Sequence, residues 1–576
     1  MIKVKNILKK DNTKNILILL IVSAFICIPL ISKNIDIFYD DGVQHICRLI
    51  GTMQSIEEGQ SFPVIMSKLC NEFGYSWNIF YSPLTAYIPL IFRLIGASFI
   101  NCIKLFMLLV VFLSGVTMYF FTNEVTKNKK IALLAGIFYI FAPYRLTDMY
   151  ARNALAELTS FVFVPMVFHG LYGILKLKQN KKYLLIIGSV GLVLTHNVIT
   201  MYVAILCFIY LLTQIKKIKN IKILKEIIIS LLFIILITSF YWTPLLEHRL
   251  SADYEVFKPG RMERTEVLTA LKLNFMDLFV TPKEYIRIYE IGFISCIILL
   301  LTPIAIKLFV KKYRKTDFFK FYIFSLIIGI ICCFMTLKIF PFEYLPSILK
   351  MIQFSYRLLE FSSFFFAFVV AVNLGILIKK IKYKDIIVIT ILLMVTTCLY
   401  IPHLHYKDNI DENRLIEGIP VTSQTGRIHA GCASFEYLPS KAFENRSYIE
   451  KRSDDVLILD GSAQIEEQNK ENTNLTCKLS YVLEETKLEL PYIYYLGYEV
   501  TMEQNGQITK LKTYETENGF VGVTIPVLEE ANLQVKYEGT TIMKVSIGIS
   551  ILGLILLIIK IIIESRKFLQ SKKEQF

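Results

Sequence analysis

The chain has 576 residues, of which 54% are hydrophobic, and its formal net charge is +15. A soluble chain of this length divides into several domains and needs a more polar composition to cover its surface. The basic residues fall in short loops between apolar runs of about 20 residues, a pattern of membrane topology and not of a nucleic-acid groove. Composition therefore indicates a polytopic α-helical membrane protein without a nucleic-acid partner.

The eleven cysteines are scattered and form no Cys-x-x-Cys motif, so a structural zinc site is not expected. Most of them lie in apolar runs, where cysteine serves as a small packing residue. Cys432 and Cys477 share the one large polar region and can pair outside the cell. Their spacing matches no disulfide motif, so the sequence leaves this bridge open.

Twelve apolar runs are long enough to predict transmembrane helices. They lie near residues 16–33, 101–122, 131–148, 156–175, 182–195, 197–214, 225–245, 288–310, 318–337, 357–378, 384–401 and 542–563. The first run follows a lysine-rich start and no Ala-x-Ala cleavage site, so we do not interpret it as a cleaved signal. Every second loop is rich in lysine, which predicts a multi-pass protein of the bacterial cytoplasmic membrane with both termini in the cytoplasm.

One further apolar run, residues 81–93, contains two prolines and Arg93. Counting it as a span would reverse the alternation of the basic loops, so we predict a helix that lies in the outer membrane interface. The first outer loop, residues 34–100, is then long and structured. It belongs to a predicted multispanning domain of residues 1–401.

The polar region 402–541 alternates apolar and polar residues in short runs such as 521–526 and 533–537, and Asn505-Gly506 is a hairpin signal. These patterns predict an extracytoplasmic β-sandwich. A final helix and a basic cytoplasmic tail, residues 542–576, follow it.

Polar and charged residues gather at the predicted outer ends of the spans. They are Asp40, Asp41, His45, Arg48, Arg145, Asp148, Arg152, Asn153, Glu157, His196, Asn197, Glu247, His248, Glu290, Arg357 and Glu360. Ionisable groups at membrane depth are costly unless they line a polar cavity. Their common side of the membrane therefore indicates a single site.

This set of groups suits transfer from a phosphorylated donor. A carboxylate can take the proton of an attacking hydroxyl, and arginines can bind phosphate oxygens bidentately. ATP is not available outside the cell, so a lipid would carry the activated donor. No GxxxxGK[ST] or GxGxxG motif is present, and the sequence does not support nucleotide hydrolysis or dinucleotide binding.

Structural explanations compete at each position. Asp40 and Asp41 can cap the helix that begins near Gly42, since aspartate is a favoured N-cap. Arg152 and Glu157 can simply pair with each other. His196 can be a turn residue at the interface, and Arg357 can extend to the membrane surface.

Several sequence blocks resemble one bacterial family. They include Asp41-Gly-Val-Gln-His45-Ile-Cys-Arg48, Phe80-Tyr-Ser-Pro-Leu84, Tyr150-Ala-Arg-Asn-Ala-Leu-Ala-Glu157, Leu194-Thr-His-Asn197 and Ile352-Gln-Phe-Ser-Tyr-Arg-Leu-Leu359. On these blocks the chain resembles the YfhO-like multispanning proteins, also labelled as related to 6-pyruvoyl-tetrahydropterin synthase. It departs from the family pattern at Ser355-Tyr356, where Pro-Trp is expected, and at Asn153, where glycine is expected.

The resemblance implies a GT-C-type glycosyltransferase with a catalytic aspartate in the first outer loop. Asp41 falls on that position, and Asp40 is the weaker half of the pair. The pterin synthase in the family label is not a predicted function, because that enzyme needs a zinc-binding histidine cluster and the seven histidines here are dispersed.

We assign roles to the remaining polar residues on the same hypothesis. Arg152 and Arg357 would bind the donor phosphate, with Arg48 and Arg145 in reserve. Glu157, His45 and His196 would orient the acceptor or the sugar hydroxyls. The rest of the predicted substrate-binding set is Asp148, Asn197 and Glu360.

The sequence thus predicts transfer of a sugar from a polyprenyl-phosphate-linked donor to an extracytoplasmic glycan or polymer acceptor of the cell envelope. No cofactor is certain, and the abundant carboxylates are compatible with a divalent metal ion. Two alternatives are a transporter or flippase of polyprenyl-linked glycans and a non-catalytic envelope assembly factor. Transporters commonly have related halves, and no such repeat is present.

Overall fold

The computed structural model describes residues 2–32, 35–36, 39–261, 265–282, 286–378, 380–404, 413 and 432–573. The chain divides into two compact units. Unit 1 comprises residues 1–42, 91–234 and 263–409, and unit 2 comprises residues 43–90, 235–262 and 410–576. All named β-strands of the described chain lie in unit 2.

Helices make up most of the described chain. The α-helices are Ile2–Ile26, Gly42–Glu57, Trp77–Phe80, Leu84–Leu94, Phe99–Thr126, Lys129–Ile140, Pro143–Leu146, Leu155–Ile174, Lys182–Val193, Asn197–Thr213, Ile215–Ile218, Ile221–Ile237, Ser239–Ser251, Thr265–Ala270, Phe293–Leu300, Thr302–Tyr313, Asp317–Met335, Ser347–Lys350, Leu359–Leu377, Tyr383–Cys398, Ser440–Glu444, Arg446–Lys451 and Thr541–Lys573. Short 3-10 helices are Ile28–Ile31, Gln179–Lys181, Glu255–Phe257, Phe275–Leu278, Phe342–Tyr344, Ser355–Leu358, Ile401–His403 and Ala433–Phe435. One π-helical turn covers Thr147–Ala151.

Six helices in the described residues are long and apolar enough to cross a membrane. They are Phe99–Thr126, Leu155–Ile174, Asp317–Met335, Ser355–Leu377, Tyr383–His403 and Thr541–Arg566. The number rises to nine if each of three bent pairs is one span. These pairs are Lys129–Ile140 with Pro143–Ala151, Ile221–Ile237 with Ser239–Ser251, and Phe293–Leu300 with Thr302–Val310.

The prediction of about twelve spans is therefore not confirmed, although every predicted run contains a helix. Lys182–Val193 and Asn197–Thr213 have only 12 and 17 residues, fewer than the roughly 20 that cross a bilayer core. The first helix, Ile2–Ile26, carries charged residues through its first half. Its remaining apolar run is too short to meet the same criterion.

Phenylalanine rings pack the centre of unit 1. The ring centroids of Phe121 and Phe364 are 5.4 Å apart, and those of Phe168 and Phe364 are 5.2 Å apart. Because Phe168 and Phe364 belong to Leu155–Ile174 and Leu359–Leu377, their stacking fixes these two helices against each other. The first of them carries Glu157, and Arg357 immediately precedes the second.

Unit 2 contains two antiparallel sheets. Their strands are β1 Leu457–Asp460, β2 Gln464–Glu471, β3 Asn474–Val482, β4 Thr486–Ile493, β5 Tyr498–Gln504, β6 Gln507–Leu511, β7 Thr513–Glu515, β8 Phe520–Ile525 and β9 Leu528–Tyr537. The four-stranded sheet has the order β1-β4-β8-β7, and the five-stranded sheet has the order β2-β3-β9-β5-β6. Both contribute to one hydrophobic core, in which Leu479, Leu490, Val500 and Val523 are fully buried. The predicted β-sandwich before the last helix is confirmed.

The Asn-Gly signal marks a two-residue hairpin. Asn505 and Gly506 have φ angles of +51° and +76°, and Gln504 pairs with Gln507 across β5 and β6. Positive φ at both central residues is the requirement of a type I′ turn, whose twist matches that of the strands. Turn chemistry was therefore sufficient to locate this hairpin.

The final helix, Thr541–Lys573, forms hydrogen bonds to the chain where a helix is interrupted before Ser239. The helical run is interrupted at Thr238, between Ile237 and Ser239. At this break the Ser550 hydroxyl accepts from the Phe240 amide at 2.9 Å and donates to the Leu236 carbonyl at 3.2 Å. Hydroxyl groups of this kind satisfy backbone polar groups that a broken helix leaves unpaired.

A second core of unit 2 packs first-loop residues against the segment that precedes the sandwich. Tyr75, Trp77 and Phe80 are buried in it together with Tyr437. Phe80 stacks on Tyr437, with ring centroids 5.4 Å apart. The helix predicted near 81–93 is present as Leu84–Leu94, with Pro89 inside it, and its position in the membrane interface stays a prediction.

Candidate active site

A break between two helices places the charged residues of unit 1. The π-helical turn Thr147–Ala151 follows Pro143–Leu146, and regular helix resumes at Leu155. Between them Asn153 has a φ of +50°, in the left-handed region that favours glycine and tolerates asparagine. The departure from the expected glycine at this position therefore preserves the backbone conformation. Single π-helical turns occur frequently at functional sites.

Arg152 is the centre of a buried ion cluster, with an exposed fraction of 1%. Its Nη1 donates to Glu157 Oε2 at 2.7 Å and to Asp148 Oδ1 at 3.1 Å, and its Nη2 donates to Asp41 Oδ2 at 3.3 Å. One guanidinium thus joins three of the predicted carboxylates. A buried arginine needs such partners because an isolated charge at membrane depth is costly.

Glu157 holds two arginines side by side. Its Oε2 accepts from Arg152 and also from Arg357 Nε, at 2.9 Å. Its Oε1 accepts from the Tyr144 hydroxyl at 2.5 Å. Arg357 Nη1 donates to the Ile352 carbonyl at 2.9 Å. Since Glu157 is only 1% exposed, this geometry favours orientation of the two guanidinium groups over direct contact with substrate hydroxyls.

The loop that carries Asp41 is attached to the same helix break. The Asp41 amide donates to the Arg152 carbonyl at 2.9 Å. The Asn153 side-chain amide donates to the carbonyls of Asp36 and Tyr39, at 3.0 and 3.2 Å. The Asp41 side chain is 45% exposed, against 1% for Arg152. Asp41 therefore presents a carboxylate at the accessible edge of a buried guanidinium.

Arg287 belongs to this cluster and was not among the predicted site residues. Its Nη2 donates to Asp40 Oδ2 at 2.6 Å. The Thr147 hydroxyl donates to the Ile288 carbonyl and accepts from the Ile288 amide, both at 2.7 Å, which fixes the backbone next to Arg287. The signal in the sequence was its position three residues before Glu290, at the outer end of a predicted span.

Asp40 differs from Asp41 in its surroundings. Its φ is +52°, and it lies outside the helix Gly42–Glu57. Burial raises the pKa of Asp40, as does the neighbouring Asp41 carboxylate, while the Arg287 guanidinium acts in the opposite direction. The described contact of Asp40 is this ion pair with Arg287, so a capping role alone does not account for it.

Three further predicted residues are fully buried and keep unpaired polar atoms. Arg145 Nε and Nη2 donate to the Tyr139 carbonyl at 3.2 and 3.1 Å, and Glu360 Oε1 accepts from the Ser160 hydroxyl at 2.5 Å. Among the described residues, Arg145 Nη1, Asp148 Oδ2 and Glu360 Oε2 have no hydrogen-bond partner. Unsatisfied buried polar atoms are rare in proteins and frequently mark functional sites.

His45 and Arg48 lie in unit 2, on the helix Gly42–Glu57, and are 8% and 1% exposed. Arg48 Nη2 donates to Asn78 Oδ1 and to the Ser82 carbonyl, both at 2.9 Å. These contacts tie Arg48 to the first loop. Its reserve role in donor binding, and the orienting role of His45, stay predictions.

The contacts of His196 are compatible with both interpretations from the sequence, a structural residue at the turn and a residue of the candidate site. Its Nδ1 accepts from the Ile199 amide at 3.4 Å, so it caps the helix Asn197–Thr213. It also lies close enough to Glu157 to interact electrostatically. Asn197 is exposed at the start of the same helix.

The sequence left open whether a metal ion or arginine side chains supply positive charge at the candidate site. Within the described ranges, no group of three or more His, Cys, Asp or Glu side chains lies close enough to hold a metal ion. Asp40 faces Arg287 and Asp41 faces Arg152, so these carboxylates as placed do not fit a divalent cation. The guanidinium groups supply the positive charge at this position.

The chain is similar in sequence to a protein of Lactococcus lactis and is aligned with a solved oligosaccharyltransferase structure. An uncharacterized protein of Lactococcus lactis subsp. cremoris (strain MG1363) is 23% identical over 606 aligned residues, which cover 98% of this chain and 97% of the relative. The crystal structure of the Archaeoglobus fulgidus oligosaccharyltransferase in the apo form aligns with 77% of this chain and 58% of its own chain, at 12% identity. Its TM-score of 0.37 is too low to establish a common fold.

The family match covers the arginines of the ion cluster, whereas Asp40 and Asp41 precede the matched range. Residues 79–403, more than half of the chain, match the family described as "6-pyruvoyl-tetrahydropterin synthase related domain; membrane protein". Arg152, Glu157, Arg287 and Arg357 all fall inside the matched range. The predicted resemblance is confirmed, and this chain belongs to the membrane protein family with a 6-pyruvoyl-tetrahydropterin synthase related domain.

Proposed function

We propose that this protein is a GT-C-type membrane glycosyltransferase that transfers a sugar from a polyprenyl-phosphate-linked donor to a cell-envelope acceptor outside the cytoplasmic membrane. The observation that supports this most is the half-exposed Asp41 carboxylate, 3.3 Å from the buried Arg152 guanidinium. A base for the acceptor hydroxyl and a cation for the departing phosphate are the two groups that such a transfer requires.

Asp41 acts on the acceptor in this proposal. The acceptor hydroxyl oxygen attacks the anomeric carbon, and the bond between that carbon and the phosphate oxygen breaks. The hydroxyl proton passes to Asp41, and polyprenyl phosphate leaves with the electron pair. The 45% exposure of the Asp41 side chain gives an acceptor access to this carboxylate.

Arg152 and Arg357 act on the departing phosphate. Glu157 Oε2 holds both guanidinium groups, at 2.7 and 2.9 Å, so their orientation is set before the donor binds. The hydrogen bonds of Arg357 run through Nε and Nη1, and in this scheme Nη2 contacts a phosphate oxygen. Guanidinium groups match phosphate geometry and stabilise the charge that develops on the leaving group. Glu157 is a positioning residue in this scheme.

Comparison of cell-envelope glycans tests the activity. We expect mass spectrometry of cells with the gene deleted to show loss of a sugar-bearing species, and the Asp41→Ala variant to reproduce that loss. The neighbouring Asp40→Asn variant, matched for position and membrane abundance, should largely retain the species. An unchanged glycan profile in the deleted strain would contradict the proposal.

A reconstituted assay separates transfer from transport. Purified protein in vesicles is supplied with a synthetic polyprenyl-phosphate sugar and a short glycan acceptor on the same side of the membrane. Formation of the glycosylated acceptor supports the transferase. Movement of the lipid-linked sugar across the bilayer without product would instead favour the flippase.

The proposal includes an orientation in which both termini are cytoplasmic and the site and the β-sandwich are outside. A cysteine at Lys129, in the predicted cytoplasmic loop 127–130, and one at the exposed Gln507 serve as reporters. An impermeant thiol reagent applied to intact cells should label Gln507→Cys and not Lys129→Cys, with the unmodified chain as background. The reverse pattern would place the ion cluster on the cytoplasmic side.

The domain boundaries are part of the same proposal. Residues 1–401 form the multispanning domain, 402–541 the extracytoplasmic β-rich domain, and 542–576 the final helix with its basic tail. The 402–541 fragment should give a strand-rich circular dichroism spectrum and unfold cooperatively. A disordered fragment would contradict an independent β-domain.

A further inference from the structure

Three cysteines of unit 2 lie close together although they are far apart in sequence. Cys47, Cys70 and Cys432 are 6%, 1% and 0% exposed. The Cys70 thiol is within side-chain hydrogen-bonding distance of Cys432, and Cys47 is within electrostatic range of Cys432. All eleven cysteines of the chain are thiols in the structure, so these contacts are non-covalent there.

The backbone on both sides of the Cys70–Cys432 contact is strained. Cys70, Asn71 and Glu72 have φ angles of +58°, +58° and +64°. Ser434 and Phe435, directly after Cys432, have φ angles of +56° and +63°. Residues other than glycine adopt this left-handed conformation at a cost in energy, and runs of them persist only where the surroundings enforce them.

Hydrogen bonds hold these two segments together. The Tyr75 hydroxyl donates to the Cys432 carbonyl at 2.9 Å and accepts from the Tyr437 amide at 3.1 Å. The Asn71 side-chain amide donates to the Ile449 carbonyl at 3.1 Å. The two strained turns therefore face each other in one buried core, with a sulfur atom on each side.

We propose that Cys70 and Cys432 form a disulfide bond in the mature protein, which joins the first loop covalently to the segment that precedes the sandwich. The bridge would close a loop of more than 300 residues, and cross-links that close long loops restrict the unfolded chain most. It would also enforce the two left-handed turns. The inference rests on the outward orientation proposed above, because disulfides persist in oxidising compartments.

The chemistry is a thiol–disulfide exchange. The two thiols lose two protons and two electrons as the Sγ–Sγ bond forms, and an external disulfide accepts them and leaves as two thiols. Burial and the neighbouring Cys432 raise the pKa of the Cys70 thiol, and a protonated thiol is a poor nucleophile. The exchange therefore takes place during folding, before this core closes.

Cys477, which the sequence suggested as a partner for Cys432, occupies a different core. It lies on β3 among the sandwich residues Leu475 and Leu479, whereas Cys432 packs with Tyr75 and Cys70. The two thiols thus belong to separate hydrophobic clusters. Cys477 is a matched buried cysteine that should remain a thiol.

Peptide mapping of the full-length protein tests the bridge. Membranes are dissolved in a denaturant that contains an alkylating reagent, so that buried free thiols react, and the protein is digested with trypsin without reduction. We expect residues 69–93 and 428–441 as one linked species that separates on reduction, and residues 471–478, with Cys477, as an alkylated peptide. Alkylation of both Cys70 and Cys432 without reduction, or a bridge from either to Cys47 or Cys477, would overturn the proposal.

The effect of a reductant on thermal unfolding distinguishes a disulfide bond from two cysteines that only pack together. A reductant should lower the melting temperature of the wild type by several degrees and leave those of Cys70→Ser and Cys432→Ser unchanged. The Cys477→Ser variant should keep the full reductant effect. An equal effect of reductant on wild type and Cys70→Ser would contradict the bridge. That result would not bear on sugar transfer by Asp41, which is measured separately.

Discussion

Two buried clusters of arginine and carboxylate, one in each unit, use the same chemical groups in different ways. In unit 2, Glu489 accepts four hydrogen bonds: from Tyr448 and Arg452 on Oε1, and from Thr516 and Asn518 on Oε2, all between 2.7 and 3.1 Å. The Arg452 guanidinium also donates to backbone carbonyls through both terminal nitrogens. Every polar atom of this pair is satisfied.

The cluster of unit 1, in contrast, contains buried polar atoms that lack a hydrogen-bond partner among the described residues. Arg145 Nη1, Asp148 Oδ2 and Glu360 Oε2 are buried without a partner among the described residues. Asp40 and Asp41 reach the accessible edge, with side chains 29% and 45% exposed. A fully paired buried network serves stability and specificity of packing. A network with unpaired atoms and an exposed edge can still bind a ligand, which is the property that the proposed function requires of the unit 1 cluster.

The largest effect should come from Asp41→Asn. Asparagine keeps the shape and the contact with Arg152 and removes the basicity, and loss of a general base typically costs about 10²–10⁴ in rate. Because the Asp41 side chain is 45% exposed, the melting temperature should change little. The measurement is sugar transfer by purified protein, set against thermal unfolding of the same sample.

Asp40→Asn is the matched control for Asp41→Asn. It breaks the 2.6 Å pair with Arg287 and leaves the Asp41–Arg152 contact in place, so transfer should fall much less. Equal losses in the two variants would mean that the aspartates act as one unit. Wild-type transfer by Asp41→Asn would remove the catalytic assignment and strengthen the transport alternative.

Glu489→Gln should produce the opposite combination, a large loss of stability with a normal rate per folded molecule. It leaves Arg452, whose side chain is 1% exposed, as an uncompensated buried charge. Removal of one partner of a buried pair costs about 3–5 kcal/mol. Denaturant unfolding of the β-rich fragment and transfer by the full chain measure the two quantities.

The control for Glu489→Gln is an exposed pair of the same sandwich. Glu499 contacts Lys510 at 2.5 Å, with side chains 35% and 65% exposed. Surface pairs contribute about 0–1 kcal/mol, so Glu499→Gln should leave unfolding almost unchanged. Comparable destabilisation by both variants would show that the buried pair has no special role.

Arg357→Lys tests whether the guanidinium geometry of unit 1 matters beyond its charge. Lysine cannot reproduce the contacts of Arg357 with Glu157 and with the Ile352 carbonyl, since an ammonium group is a single point charge. Loss of one charge-assisted hydrogen bond, roughly 1.5–3 kcal/mol, should slow transfer about 10- to 100-fold. A wild-type rate would mean that Arg357 does not bind the donor in this way.

Local sequence signals located most of the elements in both units. Apolar runs of sufficient length found helices such as Phe99–Thr126, and Asn505-Gly506 found a hairpin whose conformation depends on two residues. Glu157, Arg152 and Asp148 lie within ten residues of each other, so their closeness in sequence was enough to group them. Each of these relations is short in sequence, and pattern reasoning is strongest at that range.

Sequence patterns did not reveal contacts between residues that lie far apart along the chain. Arg287 reaches Asp40 because Thr147 fixes the backbone at Ile288, a link across 141 residues that no periodicity reports. The prediction of about twelve spans is not confirmed, because helices such as Lys182–Val193 and Asn197–Thr213 are shorter than a bilayer core requires. Arg48 was grouped with the donor site by sidedness, whereas the fold of the first loop determines its contacts with Asn78.

The smallest predicted effect concerns pH and lies in unit 2. Burial raises the pKa of Glu515 to about 7, with Asp253 and Glu517 adding to the rise and Lys441 opposing it. The folded chain thus keeps a proton that the unfolded chain releases above its ordinary value of 4.5. Stability should therefore fall as pH increases from about 4.5 to 7 and stay level above it.

Glu515→Gln should remove this decline, because glutamine does not titrate. The difference between wild type and variant should stay below about 1 kcal/mol, since solvent screens a partly exposed carboxylate. Melting temperatures at pH 5 and pH 8 measure it, with Glu529→Gln, at an exposed position of β9, as the control that keeps the wild-type slope. A parallel decline in the melting temperatures of wild type and Glu515→Gln would show that other groups cause the pH dependence. The polar groups of the unit 1 cluster would then be the next to test.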